Sequence, residues 1–226
     1  MQQLKKQGKI RFIGFSTHSN MTKCIKEAIG TGFYEVIAAA FNYAMSDDAE
    51  LTGTLDKAAR KGIGLIAMKI QCAQYWYRDY VLSERQHYYK GKILHTAVLK
   101  WVLHHDFITT AIPGYTTFQQ LEEDFSVVFD LSFSAEEKTF LEDQVVKTLL
   151  AYCLQCAESV STCPKNVDIP TLMRIHMYAN CYGNFYQAKE TMAEIPEKNS
   201  LQVCNTCFTC RARCANQIDI SQRIKE

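Results

Sequence analysis

The chain has 226 residues, with 25 Lys and Arg against 24 Asp and Glu, a net charge of +1, 47% hydrophobic residues, 10 Cys, 10 Gly and 4 Pro. Nearly half the residues can enter a core, which excludes a disordered or collagen-like chain, and the near-neutral charge offers no general field for nucleic acid or an anionic membrane. No apolar run reaches the ~18 residues of a membrane span and the first nine residues are too polar for a signal peptide, so a cytoplasmic, reducing setting is expected, where cysteines act as ligands or free thiols.

Taken in order, the first part alternates strand and helix. Residues 11–16 read as a short strand, with Asn20 as N-cap of a helix carrying Ile25, Ala28 and Ile29. Residues 35–40 form a second buried strand; Asp47 or Asp48 then caps a helix bearing Leu51 and Leu55, and Gly62 stops it. A third strand covers residues 63–68, a helix 93–104 and a fourth strand 107–112. Two amphipathic helices follow, at about 118–129 and 135–150, the latter opened by a capping box of Ser134 and Glu137. Apolar strands joined by helices imply a parallel sheet, and their spacing is the rhythm of a TIM barrel. His104 and His105 end a helix, where a cation is favourable, and read as structural.

Cysteine use then changes. Cys24 and Cys72 stand isolated in the first part, whereas the remainder fall between Cys153 and Cys214. Two domains are therefore expected, residues 1–150 and 151–226. Cys204, Cys207, Cys210 and Cys214 have the spacing C-x2-C-x2-C-x3-C, by which three thiolates hold one 4Fe-4S cluster and the fourth reaches another. A zinc ribbon would instead separate two C-x2-C pairs by a longer loop. Cys153, Cys156 and Cys163 repeat the template, with Ser159 where the third cysteine belongs. If the fourth cysteines cross over, one complete set is Cys204, Cys207, Cys210 and Cys163. The other is Cys153, Cys156 and Cys214, with Ser159 an oxygen ligand or a vacancy. Residues 171–189 read as helix between the motifs, and Arg211 and Arg213 flank the complete one, where they would favour its reduced state and an acidic redox partner.

Several segments carry a resemblance. Residues 8–18 (GKIRFIGFSTH), Phe41 with Asn42, residues 61–69 (KGIGLIAMK), residues 110–114 (TAIPG) and residues 121–124 (LEED) resemble, in that order, the second half of an aldo/keto reductase. The Cys163-Pro164 ending of the first cysteine motif resembles that of bacterial two-cluster ferredoxin domains, and one oxidoreductase family places such a domain behind an aldo/keto reductase barrel. The implied fold is strands five to eight of a (β/α)8 barrel followed by a small, mainly helical ferredoxin-like domain. The Asp, Tyr, Lys and His catalytic set of the family lies in the missing first half, so no residue here is assigned that role; Tyr43, Lys69 and Tyr75 read as packing or surface.

The resemblance also implies a place for NADP. Ser16 and Thr17 match positions that hold the nicotinamide carboxamide, and Gly114, Thr116 and Thr117 lead into a helix N-terminus suited to phosphate. Glu123 and Asp124 match the pair that reads adenine, with Asp124 where relatives carry Asn. His18 lies beside this strand end. The expected function is electron transfer through a 4Fe-4S cluster, with NADPH-linked carbonyl reduction where the missing half barrel is supplied by a second copy or another chain. The alternative is a non-catalytic electron carrier or cluster-binding module. A redox protein is the expected partner, and truncation of a longer reading frame is a further expectation.

Overall fold

A computed structural model describes residues 1–71, 94–115, 118–143, 146–147, 152–181, 184–216 and 218–225, with only the backbone at position 181. They fall into two compact units, one before and one after residue 151.

The first unit runs α1 (Gln2–Lys6), β1 (Gly14–Thr17), α2 (Met21–Thr31), β2 (Val36–Ala40), α3 (Ala49–Arg60), β3 (Gly64–Met68), α4 (His95–Leu103), β4 (Thr110–Ile112), α5 (Phe118–Ser126) and α6 (Ala135–Glu142). The four strands form one parallel sheet in sequence order. Ser16, Ala38, Ile66 and Thr110 stand abreast, and Thr17, Ala39, Ala67 and Ala111 form the next row. Side chains alternate across a strand. One face therefore carries Ile37, Ala39, Leu65 and Ala67, all buried, and meets the helix layer containing Ile25, Leu55 and Val98. Val36, Ala38 and Ile66 on the other face are only half-buried. Ile112, on the edge strand, is 57% exposed. Among the described residues the helices lie on one face of the sheet, consistent with part of a (β/α)8 barrel; a doubly wound sheet carries helices on both.

Local chemistry explains the boundaries. Asp48 caps α3 by accepting the Leu51 amide at 2.9 Å, and Gly62, at φ 80°, turns the chain after its end. At α6 both halves of the capping box form between Ser134 and Glu137. Asn20 corrects the expectation: it precedes α2 in a left-handed conformation (φ 50°) and its side chain caps nothing. The helix expected over 135–150 breaks at Asp143, which turns extended at ψ 114°; residues 146–147 are again helical, and 144–145 and 148–150 lie outside the described residues. Gly14 is required by close approach, since a Cβ there would lie 2.4 Å from the Val36 carbonyl oxygen. Glu137 ties α6 to α4, accepting Lys100 Nζ and the Thr96 hydroxyl, both at 2.9 Å.

The second unit contains α7 (Glu158–Thr162), α8 (Ile169–His176), a π-turn (Met177–Cys181), α9 (Phe185–Ala193), α10 (Leu201–Cys204) and α11 (Ile220–Lys225). The helix expected over 171–189 is thus two helices. Asn184 starts the second by accepting the Gln187 amide at 3.0 Å. Val167, Ile169, Leu172, Met173, Ile218 and Ile220 lie in a small core, against which Cys153, Cys163, Cys204, Cys210 and Cys214 pack.

Candidate functional site

A parallel sheet gathers its strand ends on one side, and in the first unit this side carries Ser16, Thr17 and Gly114 of the residues expected to meet NADP. Ser16 is exposed at the end of β1, whereas Thr17 is buried and donates its hydroxyl to the Ser19 carbonyl at 2.9 Å. Gly114 follows β4 and is exposed. β1 and β4 lie three strand spacings apart, about 14 Å, so one small group cannot touch both ends while an extended ligand can. Thr116 and Thr117 lie outside the described residues, as do Cys72, Tyr75 and the side chain of Cys181.

Glu123 and Asp124 do not act alike. Glu123 is exposed and accepts a hydrogen bond from Gln119 one turn earlier at 3.1 Å. Asp124 is buried and accepts from Gln71 Nε2 at 2.6 Å. Burial pushes its carboxyl up to about 6; the Gln71 hydrogen bond opposes that, and the Glu123 charge adds to it. The second Asp124 oxygen and the Gln71 carbonyl oxygen have no partner among the described residues.

The same side contains residues whose roles depend on tertiary placement. Asn42 is fully buried, donates to the Lys69 carbonyl at 2.9 Å and accepts the Ala44 amide at 3.0 Å. It thereby ties the chain after β2 to that after β3. Lys69 takes a left-handed conformation (φ 59°), costly for a side chain with a Cβ. Partial burial and the Lys69 charge hold His18 below the usual imidazole range. Tyr43 donates its hydroxyl to the Leu141 carbonyl, and His105 packs against Phe41 and Trp101, both structural roles.

In the second unit the seven motif cysteines are half-buried thiols. They interact in two groups. Burial raises Cys204, and the next contributions come from Cys207, Cys210 and Cys163. Burial likewise raises Cys153, the Gln155 amide opposes it, and Cys214 and Cys156 add to it. Thus the last cysteine of each motif sits within electrostatic reach of the other motif. A backbone hydrogen bond braces this arrangement, the Arg213 amide donating to the Thr162 hydroxyl at 2.9 Å.

The loop between Cys153 and α7 is bent around sulfur. Gln155 and Ala157 are left-handed at φ 56° and 63°, and the Gln155 amide donates to Cys153 Sγ at 3.4 Å. The Gln155 side chain holds the loop by donating to the Pro170 carbonyl at 2.9 Å. Ser159 is buried in α7. Arg211 and Arg213 are exposed, whereas Arg223 on α11 is 8% exposed and within the electrostatic reach of Cys153. Sequence spacing gave Arg223 no prominence, because it lies outside both motifs. Among the described residues no three His, Cys, Asp or Glu side chains are arranged as a single-ion metal site.

No family model and no curated protein sequence matches the chain. Solved structures similar to it include two of the aldo-keto reductase AKR11C1 from Bacillus halodurans. The holo form is 17% identical, covering 62% of this chain and 50% of that one with a TM-score of 0.44. The apo form is 20% identical, covering 62% and 53% with a TM-score of 0.41. The match spans about half the length of each reductase. No helix among the described residues is long and apolar enough to cross a membrane.

Proposed function

We propose that this chain is an iron–sulfur oxidoreductase component of the aldo/keto reductase type, transferring electrons through a ferredoxin-like second unit. The observation that supports it most is the grouping of the cysteines: Cys163 with Cys204, Cys207 and Cys210, and Cys214 with Cys153 and Cys156. This is the crossed ligand pattern of a two-cluster domain. The residues fit the group chemically, being soft thiols on an apolar core with a backbone amide aimed at one sulfur and strained non-glycine residues shaping the loop. Thiolates spread around an iron–sulfur core need not converge on one point as ligands of a single ion do.

Cys163, Cys204, Cys207 and Cys210 would hold one 4Fe-4S cluster, and Cys153, Cys156 and Cys214 a second, with Ser159 beside them in sequence. Such clusters supply reversible one-electron transfer. The protein contributes the thiolates, an amide donor to Cys153 and an apolar packing that limits water. Among the described residues the one-sided helix layer of the first unit suits half a barrel, the other half coming from a second copy, another chain or a longer form of this one.

The NADP set fits less well as it stands. Thr17 spends its hydroxyl within the loop and Asp124 is buried against Gln71, leaving Ser16, Gly114 and Glu123 accessible. No step through nicotinamide is derived for this chain alone. NADPH-linked carbonyl reduction belongs to the assembly with a completed barrel. The engaged Thr17 and Asp124 favour, as a second reading, an electron carrier without nucleotide.

Iron and acid-labile sulfide measured on the anaerobically purified chain test the proposal. Equal iron and sulfide with visible charge-transfer absorption are expected; a colourless, zinc-loaded or metal-free chain would overturn it. Ser159→Cys should raise iron toward two full cubanes per chain. An NADPH titration separates the readings, since tight binding by the chain alone would eliminate the carrier.

A further inference from the structure

The two stretches that carry the thiols of the complete motif are tied into one surface. The Arg213 amide donates to the Thr162 hydroxyl at 2.9 Å, the Asp168 amide to the Asn199 carbonyl at 3.0 Å, and Asn199 Nδ2 to the Asn166 carbonyl at 2.5 Å. These bonds join residues 159–167 to residues 199–216. The charged side chains of both stretches are Lys165, Arg211 and Arg213, cations without a carboxylate among them, and all are exposed. Of the carboxylates that border residues 159–167, Asp168 caps α8 by accepting the Thr171 amide at 3.2 Å, and Glu158 opens α7. Arg213 directs Nη1 to the carbonyls of Cys210 and Ala212 at 3.2 and 3.0 Å, which holds its charge beside the cysteine loop. Phe208, between Cys207 and Cys210 in that loop, lies wholly in solvent. A single exposed aromatic is ordinary, but one bracketed by two motif cysteines and accompanied only by cations has the composition of a docking patch.

We infer that Phe208, Lys165, Arg211 and Arg213 form the surface on which an acidic electron-carrying protein docks to exchange electrons with the complete cluster. This rests on the cluster reading above. Electrons pass only where donor and acceptor come close, so a partner has to land over a cluster loop, and Phe208 stands in one. Redox encounters are small and short-lived, and their parts divide the work. The cations steer an acidic partner and set the rate of encounter, while the aromatic ring supplies the dry contact that holds it during transfer. In the step itself the reduced cluster gives up one electron and the partner's oxidised centre takes it, with no bond formed or broken.

Stopped-flow oxidation of the reduced, anaerobic full chain by two ferric haem proteins, acidic cytochrome b5 and basic cytochrome c, tests this. The second-order rate constant with cytochrome b5 should fall as salt rises, and that with cytochrome c should rise. Arg211→Glu should slow cytochrome b5 reduction about tenfold at low salt and little at high salt, with Arg211→Lys close to the unmodified rate. Phe208→Ala should slow it about tenfold at every salt concentration. Iron content and reduction potentials should stay unchanged in these variants, which a merely structural role would not allow. A cytochrome b5 rate that ignores salt or rises with it, or full rates in both iron-replete variants, would overturn the inference. Should Phe208→Ala lose iron, the salt dependence and the Arg211 pair answer instead. Capture of a fluorescent single-stranded oligonucleotide that leaves cytochrome b5 reduction unaffected would also overturn it, by assigning the patch to nucleic acid. Absence of iron from the unmodified chain would refute the cluster reading itself, an outcome that iron analysis tells apart.

Discussion

The two units are stabilised by different means. The first completely buries Ile25, Ile37, Leu51, Leu55, Leu65 and Val98 between a parallel sheet and its helices, and locks α4 to α6 through Lys100 and Glu137. The second has Val167 and Ile169 as its most buried apolar side chains, and rests partly buried cysteines on a small core. Small domains with so little apolar burial commonly depend on disulfides or metal. The contrast teaches that the first unit's fold is written in apolar periodicity, while the second unit's small core leaves its fold, on the function proposed above, dependent on a cluster bound by its thiols.

The largest way to break this comparison is to remove a thiol. Cys207→Ala should abolish the complete cluster and unfold the second unit locally while leaving the first intact, because metal-binding free energy is folding free energy in such domains. Visible absorption together with amide hydrogen exchange checks it; unchanged absorption would refute it.

In the first unit the largest effect is expected at the buried ion pair. Lys100→Ala leaves Glu137 without its cation and should cost about 3 kcal/mol in denaturant unfolding, with the second unit's absorption unchanged. Burial would raise Glu137, yet the hydrogen bonds from Lys100, the Ser134 amide and Thr96 hold it below the usual carboxylate range. The stability it provides is therefore present above the unfolded carboxylate pKa and lost as pH falls through the lower folded one. Next comes Gly14→Ala, whose added methyl meets the Val36 carbonyl; forcing β1 off β2 should cost about 1–3 kcal/mol in the same assay.

The smallest expected effect sharpens the picture of Asp124. Its carboxyl is raised from 3.8 to about 6, so the stability tied to its protonation is complete below the unfolded value and lost as pH rises through the folded one. Asp124→Asn keeps the acceptor for Gln71 Nε2 and supplies a donor for the orphaned Gln71 oxygen. The variant should exceed the unmodified protein by roughly 1–2 kcal/mol at pH 8 and lose that advantage by about pH 4. A pH-independent difference would show that Asp124 is not the titrating group.

Much of this architecture is legible in the residues. The Asp48 cap, the Gly62 turn and the Ser134 and Glu137 box announce helix ends through local chemistry, and the parallel order follows from apolar strands joined by helices. Asn20 misleads because its left-handed backbone stops its side chain from reaching the α2 amides. The break between α8 and α9 is missed because apolar residues continue through the π-turn while Asn184 restarts the helix. At the sites, motif spacing finds the cysteines, yet it cannot separate a buried Asp124 from an exposed Glu123 one residue away. Asn42, Gln71 and Arg223 acquire their roles from burial and partners distant in sequence, which spacing does not encode.

The central claim, that the second unit is organised around iron–sulfur clusters, is tested most directly by native mass spectrometry of the anaerobically purified chain. The account predicts the 25.9 kDa chain carrying the added mass of one complete cluster together with a second, full or iron-deficient one. The bare polypeptide mass, or the polypeptide with zinc alone, would contradict it.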